Sequence, residues 1–214
     1  MTRKIILLIG PPCAGKGTQA KALGKKLMLP HFSTGDIFRK MTKIKTKESE
    51  LLNDCMASGK LVPSDLVNRI VKKVLLSSEH KNGYILDGYP RNLEQAKYFI
   101  QNIDSEFISV FFEVSDETVI KRAINRYICQ SCGAIYNNLD YSETHILCNH
   151  CGSNELKLRS DDCKKIVLER IEEYKRETLP LINFYKNKNN FFIVNADGNK
   201  EEVSKEVALI VKRI

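Results

Sequence analysis

Ile5-Ile6-Leu7-Leu8-Ile9-Gly10-Pro11-Pro12-Cys13-Ala14-Gly15-Lys16-Gly17-Thr18 is the stretch that decides the fold. Five apolar residues in a row suit a strand buried on both faces, the kind found in parallel sheets. The strand runs straight into turn residues, and Lys16–Leu27 predicts a helix with Ala20, Leu23 and Leu27 on one side. Gly10, four residues, then Gly15-Lys16 is the spacing of a phosphate-binding loop. Glycines let backbone N–H groups wrap phosphate oxygens, and the following helix N-terminus adds partial positive charge. Lys16 would then reach the β/γ-phosphates. The strict pattern has Ser or Thr directly after the lysine. Here Gly17 intervenes and the hydroxyl comes at Thr18.

Outward from this loop, strand-like runs recur at Tyr84–Leu86, ending on Asp87, at Ile108–Val114 and at Phe191–Val194. Helices are predicted over Glu117–Tyr127, Asp161–Lys175 and from near Lys200. Strands alternating with long helices imply an α/β fold with a central parallel sheet flanked by helices. In such sheets ligands lie at the carboxyl ends of the strands. Asp87 ends one, where a hard carboxylate can hold Mg²⁺ through its waters. Arg91, after Gly88-Tyr89-Pro90, carries a guanidinium able to grip a phosphate bidentately.

Two segments interrupt the alternation. Residues 33–62 are helical and Lys-rich. The stretch around Cys129–Leu158 is rich in Cys, Asn, Ser and Gly, with no helical period. It contains Cys129-x-x-Cys132 and Cys148-x-x-Cys151, with fifteen residues between the two knuckles. That spacing is characteristic of a closed tetrathiolate Zn²⁺ site. Cys55 and Cys163 have no partner at ligand spacing. Cys55 reads as a helix-packing thiol and Cys163 has no assigned role. His31, His80 and His145 take the bland, structural reading.

With 214 residues the chain suits one domain carrying insertions, large enough to fold without disulfides. No apolar run approaches a membrane span, and Ile5–Ile9 leads into Gly-Pro-Pro rather than a cleavage site, so neither anchor nor signal peptide is expected. A cytoplasmic setting follows, in which seven cysteines read as thiols or metal ligands before disulfides. The net charge of +8 points to an anionic partner without saying which.

In combination and in order, Gly10–Gln19, Ser33-Thr34-Gly35-Asp36-Ile37-Phe38-Arg39, Gly59–Val62, Asp87–Arg91 with Gln95, the cysteine module and Arg159-Ser160-Asp161-Asp162 resemble the adenylate kinases of the nucleoside monophosphate kinase family. The resemblance runs from about Lys4 to the C-terminus. It implies reversible, Mg²⁺-dependent phosphoryl transfer between ATP and AMP, giving two ADP, in adenine nucleotide homeostasis. It also implies a core (1–32, 63–124 and 163–214), a mobile AMP-binding insert (33–62) and a mobile lid (125–162) stapled by structural Zn²⁺.

By the same resemblance, Cys13, Ala14, Gly15, Lys16, Gly17 and Thr18 line the ATP phosphates. Arg122, Arg126, Ile135, Tyr136 and Lys200 complete the ATP site. Thr34, Arg39, Lys60, Leu61 and Val62 contact AMP. Gly88, Tyr89, Pro90 and Arg91 hold its phosphate and sugar side, and Gln95 reads adenine. Lys16, Arg91, Arg126, Arg159 and Arg170 serve the transferred phosphoryl, with Arg159 and Arg170 also facing AMP. Arg122 and Arg126, four apart, are expected on one helix face. Arginines suit this chemistry because charge spreads over equatorial oxygens, and catalysis is positioning plus charge stabilisation. Cys13 stands where the family usually has Gly, so its thiol is expected close to the phosphates.

Three alternatives compete. A kinase for UMP, CMP or GMP shares the fold, although Thr34 and Gln95 favour adenine. A zinc-ribbon nucleic-acid binder would need basic residues that Cys129–Cys151 lacks. A P-loop switch protein would hydrolyse nucleotide without transfer. The expected partners are therefore ATP, AMP and ADP, with no nucleic acid and no membrane, and the chain is expected to act as a monomer.

Overall fold

The computed structural model describes residues 3–76, 80–137 and 147–212. His145 lies outside them. Five strands form one parallel sheet: β1 (Lys4–Ile9), β2 (His31–Ser33), β3 (Gly83–Asp87), β4 (Ile108–Glu113) and β8 (Phe191–Asn195), in the order β2-β3-β1-β4-β8. The central strand explains its own composition. Ile5, Leu7 and Ile9 join one core cluster with Tyr84, Leu86 and Phe111, while Ile6 and Leu8 join another with Ile85, Val110 and Phe112. A strand covered on both faces has no solvent side, so alternation gives way to an unbroken apolar run. Each such side chain contributes about 1.5–3 kcal/mol on burial, before the cost of ordering it.

Helix α1 (Lys16–Leu27) buries Ala20 and Leu23 against the second cluster, and Leu27 packs at its edge. The following segment carries α2 (Thr34–Met41), capped by Ser33, and α3 (Lys47–Ser58), opened by a Thr46/Ser49 capping box. Next come α4 (Ser64–Leu76) and, after β3, α5 (Leu93–Asn102), which is capped by Asn92. The chain crosses from β3 to β4 over β1, so the carboxyl end of β1 lies where the sheet's connectivity reverses. This is the crevice position for a ligand in an open α/β sheet.

Helix α6 (Asp116–Ile124) stops earlier than its sequence pattern predicts. Asn125 leaves the helical region, and Arg126 begins a strand, β5 (Arg126–Cys129). Arg122 and Arg126 therefore do not share a helix face. Strand β5 pairs antiparallel with β6 (Ile135–Asn137) and β7 (Leu156–Leu158) in a small sheet of its own. The long helix predicted from Asp161 is also divided. A 3-10 turn spans Ser160–Asp162, extended Cys163 opens α7 (Lys164–Glu173), and a π-turn (Tyr174–Thr178) follows. Helices α8 (Leu181–Tyr185) and α9 (Lys200–Lys212) complete the described chain. Among the described residues no helix is long and apolar enough to cross a membrane.

Candidate functional site

The loop after β1 turns by way of residues with positive φ: Gly10, Cys13 (+58°) and Gly15, the last being the N-cap of α1. Cys13 thus holds a left-handed conformation that costs an L-residue about 1–2 kcal/mol. Its side chain lines the cleft and touches a small cluster of Val119, Ala123, Val167 and Ile171. Inside the loop, Lys16 Nζ donates to Gly10 O (2.9 Å) and Pro11 O (2.5 Å). Burial pulls this ammonium down from 10.5 to about 8, against the opposing pull of Asp87.

A cleft of about 560 Å³ opens over the loop. Its floor is residues Cys13 to Thr18 together with Asp87, Gly88, Pro90 and Arg91. Arg122, Arg126, Arg159 and Arg170 also line it, as do Ile135 and Lys200. Arg122 also donates to Gly198 O (3.2 Å), and Gln19 donates to Lys200 O (3.2 Å), so the loop before α9 is tied to the cleft lining. Asp87 is buried at the carboxyl end of β3, beside α1. Its Oδ2 lies 3.8 Å from His31 Nε2, a buried nitrogen with no hydrogen-bond partner. His31, read from sequence as purely structural, is therefore part of the cleft wall.

A smaller pocket of about 60 Å³ adjoins the cleft. Thr34, Lys60, Leu61, Val62 and Gln95 line it. Thr34 Oγ1 donates to Gly88 O (3.0 Å), and Gln95 Oε1 accepts from Arg91 N–H (2.8 Å). Arg39, Arg91 and Arg170 line both spaces, so the two meet at a cationic junction. Burial, with Arg170 nearby, pulls Arg91 down to about 10; burial and Arg126 do the same to Arg159, and both remain cationic at neutral pH.

Two predicted contacts fall elsewhere. Tyr89 is fully buried, its hydroxyl donating to Asn68 Oδ1 (2.7 Å), and it lines neither space. Tyr136 also turns away from the cleft, with its hydroxyl 3.1 Å from Cys148 Sγ. Ile135 and Asn137 flank it and do line the cleft.

Several residues that no sequence motif singled out for a role also belong to the site. Asp161 and Asp162 pair with the arginines. Asp162 accepts a bidentate pair from Arg126 (2.6 and 2.5 Å), and Asp161 lies 3.2 Å from Arg159 and 3.8 Å from Arg39. Burial would raise the Asp161 carboxyl, but Arg159, Arg170 and Arg39 hold it below its ordinary value. These acids stood inside the Arg159–Asp162 motif, so position alone could have flagged them. Glu173, Tyr174 and Thr178 line the cleft too, and nothing in their sequence marks them.

In the small sheet, Cys129, Cys132, Cys148 and Cys151 place their sulfurs within 4.8 Å of one another and form a candidate metal site. Burial pushes the Cys148 thiol up, but the Tyr136 hydroxyl and the backbone N–H groups of His150 and Cys151 outweigh it and bring it down to about 6. Cys55 packs against the main core, and Cys163 is the exposed residue that opens α7.

A P-loop, an acid on the neighbouring strand and a junction of arginines between two spaces define a P-loop phosphotransferase. The family model for adenylate kinase matches residues 8–190. The chain is 49% identical to the adenylate kinase of Rickettsia conorii over 209 residues, covering 97% of this chain and 99% of that one. It is 48% identical to those of Rickettsia typhi and Rickettsia prowazekii, over 210 and 211 residues, with the same coverage. The chain belongs to the adenylate kinase family.

Proposed function

We propose that the large cleft takes ATP and the small pocket takes AMP, and that the terminal phosphoryl passes between them at the Arg39–Arg91–Arg170 junction. The activity of the family is phosphoryl transfer between adenine nucleotides, so the chain is an ATP:AMP phosphotransferase. The observation that carries the assignment of sites is that these three arginines line both spaces. In this reading Lys16 and the backbone of residues 13–18 hold the ATP phosphates. Arg122, Arg126, Ile135 and Lys200 bound the rest of ATP. Thr34, Lys60–Val62 and Gln95 surround AMP, and Arg91, Arg159 and Arg170 neutralise the charge that develops in transfer. The nucleophile is a phosphate oxygen of AMP, so no protein nucleophile is needed. Residues 33–62 and 125–162 are the parts that close over the two nucleotides, excluding water and so preventing hydrolysis.

The donor chemistry fits two metals. Asp87 offers a hard carboxylate beside Lys16 and faces an unpartnered His31 nitrogen, which suits the hydration shell of Mg²⁺. Bound with ATP, Mg²⁺ supplies neutralisation of phosphate charge. In the small sheet the Cys129–Cys151 and Cys132–Cys148 sulfur separations are 3.6 and 3.5 Å. Sulfurs 2.3 Å from a tetrahedral Zn²⁺ would be about 3.8 Å apart, so the cluster fits zinc closely. Zinc supplies folding energy to a segment too small to build a core. We further propose that the enzyme acts as a monomer in a reducing, cytoplasmic setting, which keeps these thiols available, and that neither nucleic acid nor membrane is a partner.

The test is ADP formation from ATP with AMP, UMP, CMP and GMP in parallel, with metal analysis of the purified protein. A marked preference for AMP is expected. Equal rates with all four would refute the adenine assignment.

A further inference from the structure

We infer that Glu173 and Thr178, brought to one side of their helix by the π-turn between them, form a clamp that sets the width of the small pocket and so position AMP. This rests on reading that pocket as the AMP site. Glu173 is buried, and its Oε1 accepts from Leu61 N–H (3.1 Å). Thr178 is also buried, and its hydroxyl donates to Arg91 O (2.7 Å). Leu61 and Arg91 both line the pocket and come from two different segments, one in the insert and one after β3. One short piece of helix therefore holds both segments by their backbones.

The π-turn explains how. In an α-helix, positions five apart point about 140° away from each other. Between Glu173 and Thr178 the helix widens into the π-turn Tyr174–Thr178, closed by Leu179 N–H donating to Tyr174 O (2.9 Å). The wider turn returns the fifth residue toward the starting side. Both side chains accordingly lie on the cleft side, while the backbones they hold, at Leu61 and Arg91, line the small pocket. The insert also rests directly on α7, since a Cβ at Gly59 would come within 3.0 Å of Ile166 O and 3.1 Å of Arg170 Cγ. Glu173 thus fixes a segment already seated on the helix that carries Arg170. Its other carboxylate oxygen pairs with Arg176, which leaves Oε1 free for the backbone N–H.

Glu173 and Thr178 touch no reacting atom in this account; they are positioning residues. The experiment measures kcat and KM for each nucleotide, and thermal unfolding, in full-length Thr178→Val, Thr178→Ser, Glu173→Ala and Glu173→Gln. Loss of one buried hydrogen bond at a pocket wall should raise KM for AMP about tenfold while KM for ATP stays within about twofold. Serine at 178 keeps the hydroxyl, and glutamine at 173 keeps an acceptor for Leu61 N–H, so both should return KM for AMP most of the way. If Glu173→Ala does not fold, the Thr178 pair carries the test alone. Equal rises in both KM values, or an unchanged KM for AMP in a destabilised Thr178→Val, would overturn the clamp. Gln95→Leu, made in parallel, reads the pocket by itself. An unchanged KM for AMP there overturns the pocket assignment and the clamp with it. A raised KM there with flat clamp variants overturns the clamp alone.

Discussion

Raising the pH should release ATP from this enzyme through Lys16. Burial pulls its ammonium from 10.5 to about 8 in the unliganded protein. A displacement of that size corresponds to about 3 kcal/mol against the charged form. The triphosphate of ATP supplies the opposite field and favours the ammonium, so binding raises the Lys16 pKa again. The affinity for ATP is then full below about pH 8 and weakens by up to tenfold per pH unit above it. If the bound state recovers the ordinary lysine value, the total loss approaches about 300-fold. Without nucleotide the sign is reversed. Between about pH 8 and 10.5 the unfolded chain holds a proton that the folded chain has released, so the unliganded fold gains stability across that window. The assay is titration calorimetry of ATP from pH 6.5 to 9.5, repeated in two buffers of different ionisation enthalpy to count protons taken up. Cys13→Ala removes any contribution from the neighbouring thiol. Lys16→Arg, which stays cationic throughout, should bind with little pH dependence above 8. The same fall in Lys16→Arg, or no proton uptake near pH 8 in the wild type, would refute the reasoning.

Other consequences are equally direct. Cys148→Ser should lose the metal and lower the unfolding temperature, checked by elemental analysis and calorimetry; a metal content of one per chain in the variant would contradict the tetrathiolate. Saturating ATP should slow alkylation of Cys13, mapped by mass spectrometry, while leaving the exposed Cys163 unaffected; equal rates at Cys13 with and without ATP would place its thiol away from the phosphates. Gly83→Ala should destabilise by about 3 kcal/mol or more in urea unfolding, because φ is +108° and a Cβ would sit 1.8 Å from Lys4 O at the start of the β1–β3 pairing. A change under 1 kcal/mol would mean that the pairing begins further along, by about one register position.

The parts of this structure that were legible in sequence are those where one chemistry excludes alternatives. β1, β3 and β4 are buried on both faces, and continuous apolar runs of strand length allow little else, the first two ending at Gly10 and Asp87. The loop spacing and the two cysteine knuckles were equally readable. β2 was not, because a three-residue strand, His-Phe-Ser, is too short to carry a period. The end of α6 was misplaced because Val119, Ala123 and Tyr127 continue a helical spacing that the chain abandons at Asn125. There the pairing of Arg126 with Asn137 in the small sheet overrides local preference. The inward turn of Tyr136 depends on where the cysteines gather, which no local pattern encodes. The π-turn had no signal either, since no residue type demands it.

The acids of the cleft complete the account of how so many arginines can coexist unliganded. Arg126, Arg159 and Arg170 converge within a few ångströms of Asp161 and Asp162, and the side chains of both acids are mostly buried. Without the carboxylates these guanidiniums would repel one another in a poorly solvated space, and removing one partner of a buried pair typically costs 3–5 kcal/mol. The bidentate hold of Arg126 on Asp162 uses the same fork geometry that grips a phosphate. In the proposed site, the two aspartates stand in for phosphate charge before substrate arrives. A nucleotide phosphate meeting Arg126, Arg159 and Arg170 there exchanges arginine partners rather than neutralising bare cations, so each arginine contributes to binding only the difference between a phosphate and a carboxylate. In this proposed arrangement that difference is largest where the guanidinium forks fit the three equatorial oxygens of the phosphoryl in flight, and smaller for resting substrate. An arginine cluster held by aspartates thus discriminates in favour of the transition state, which is the condition for a binding contact to accelerate the reaction.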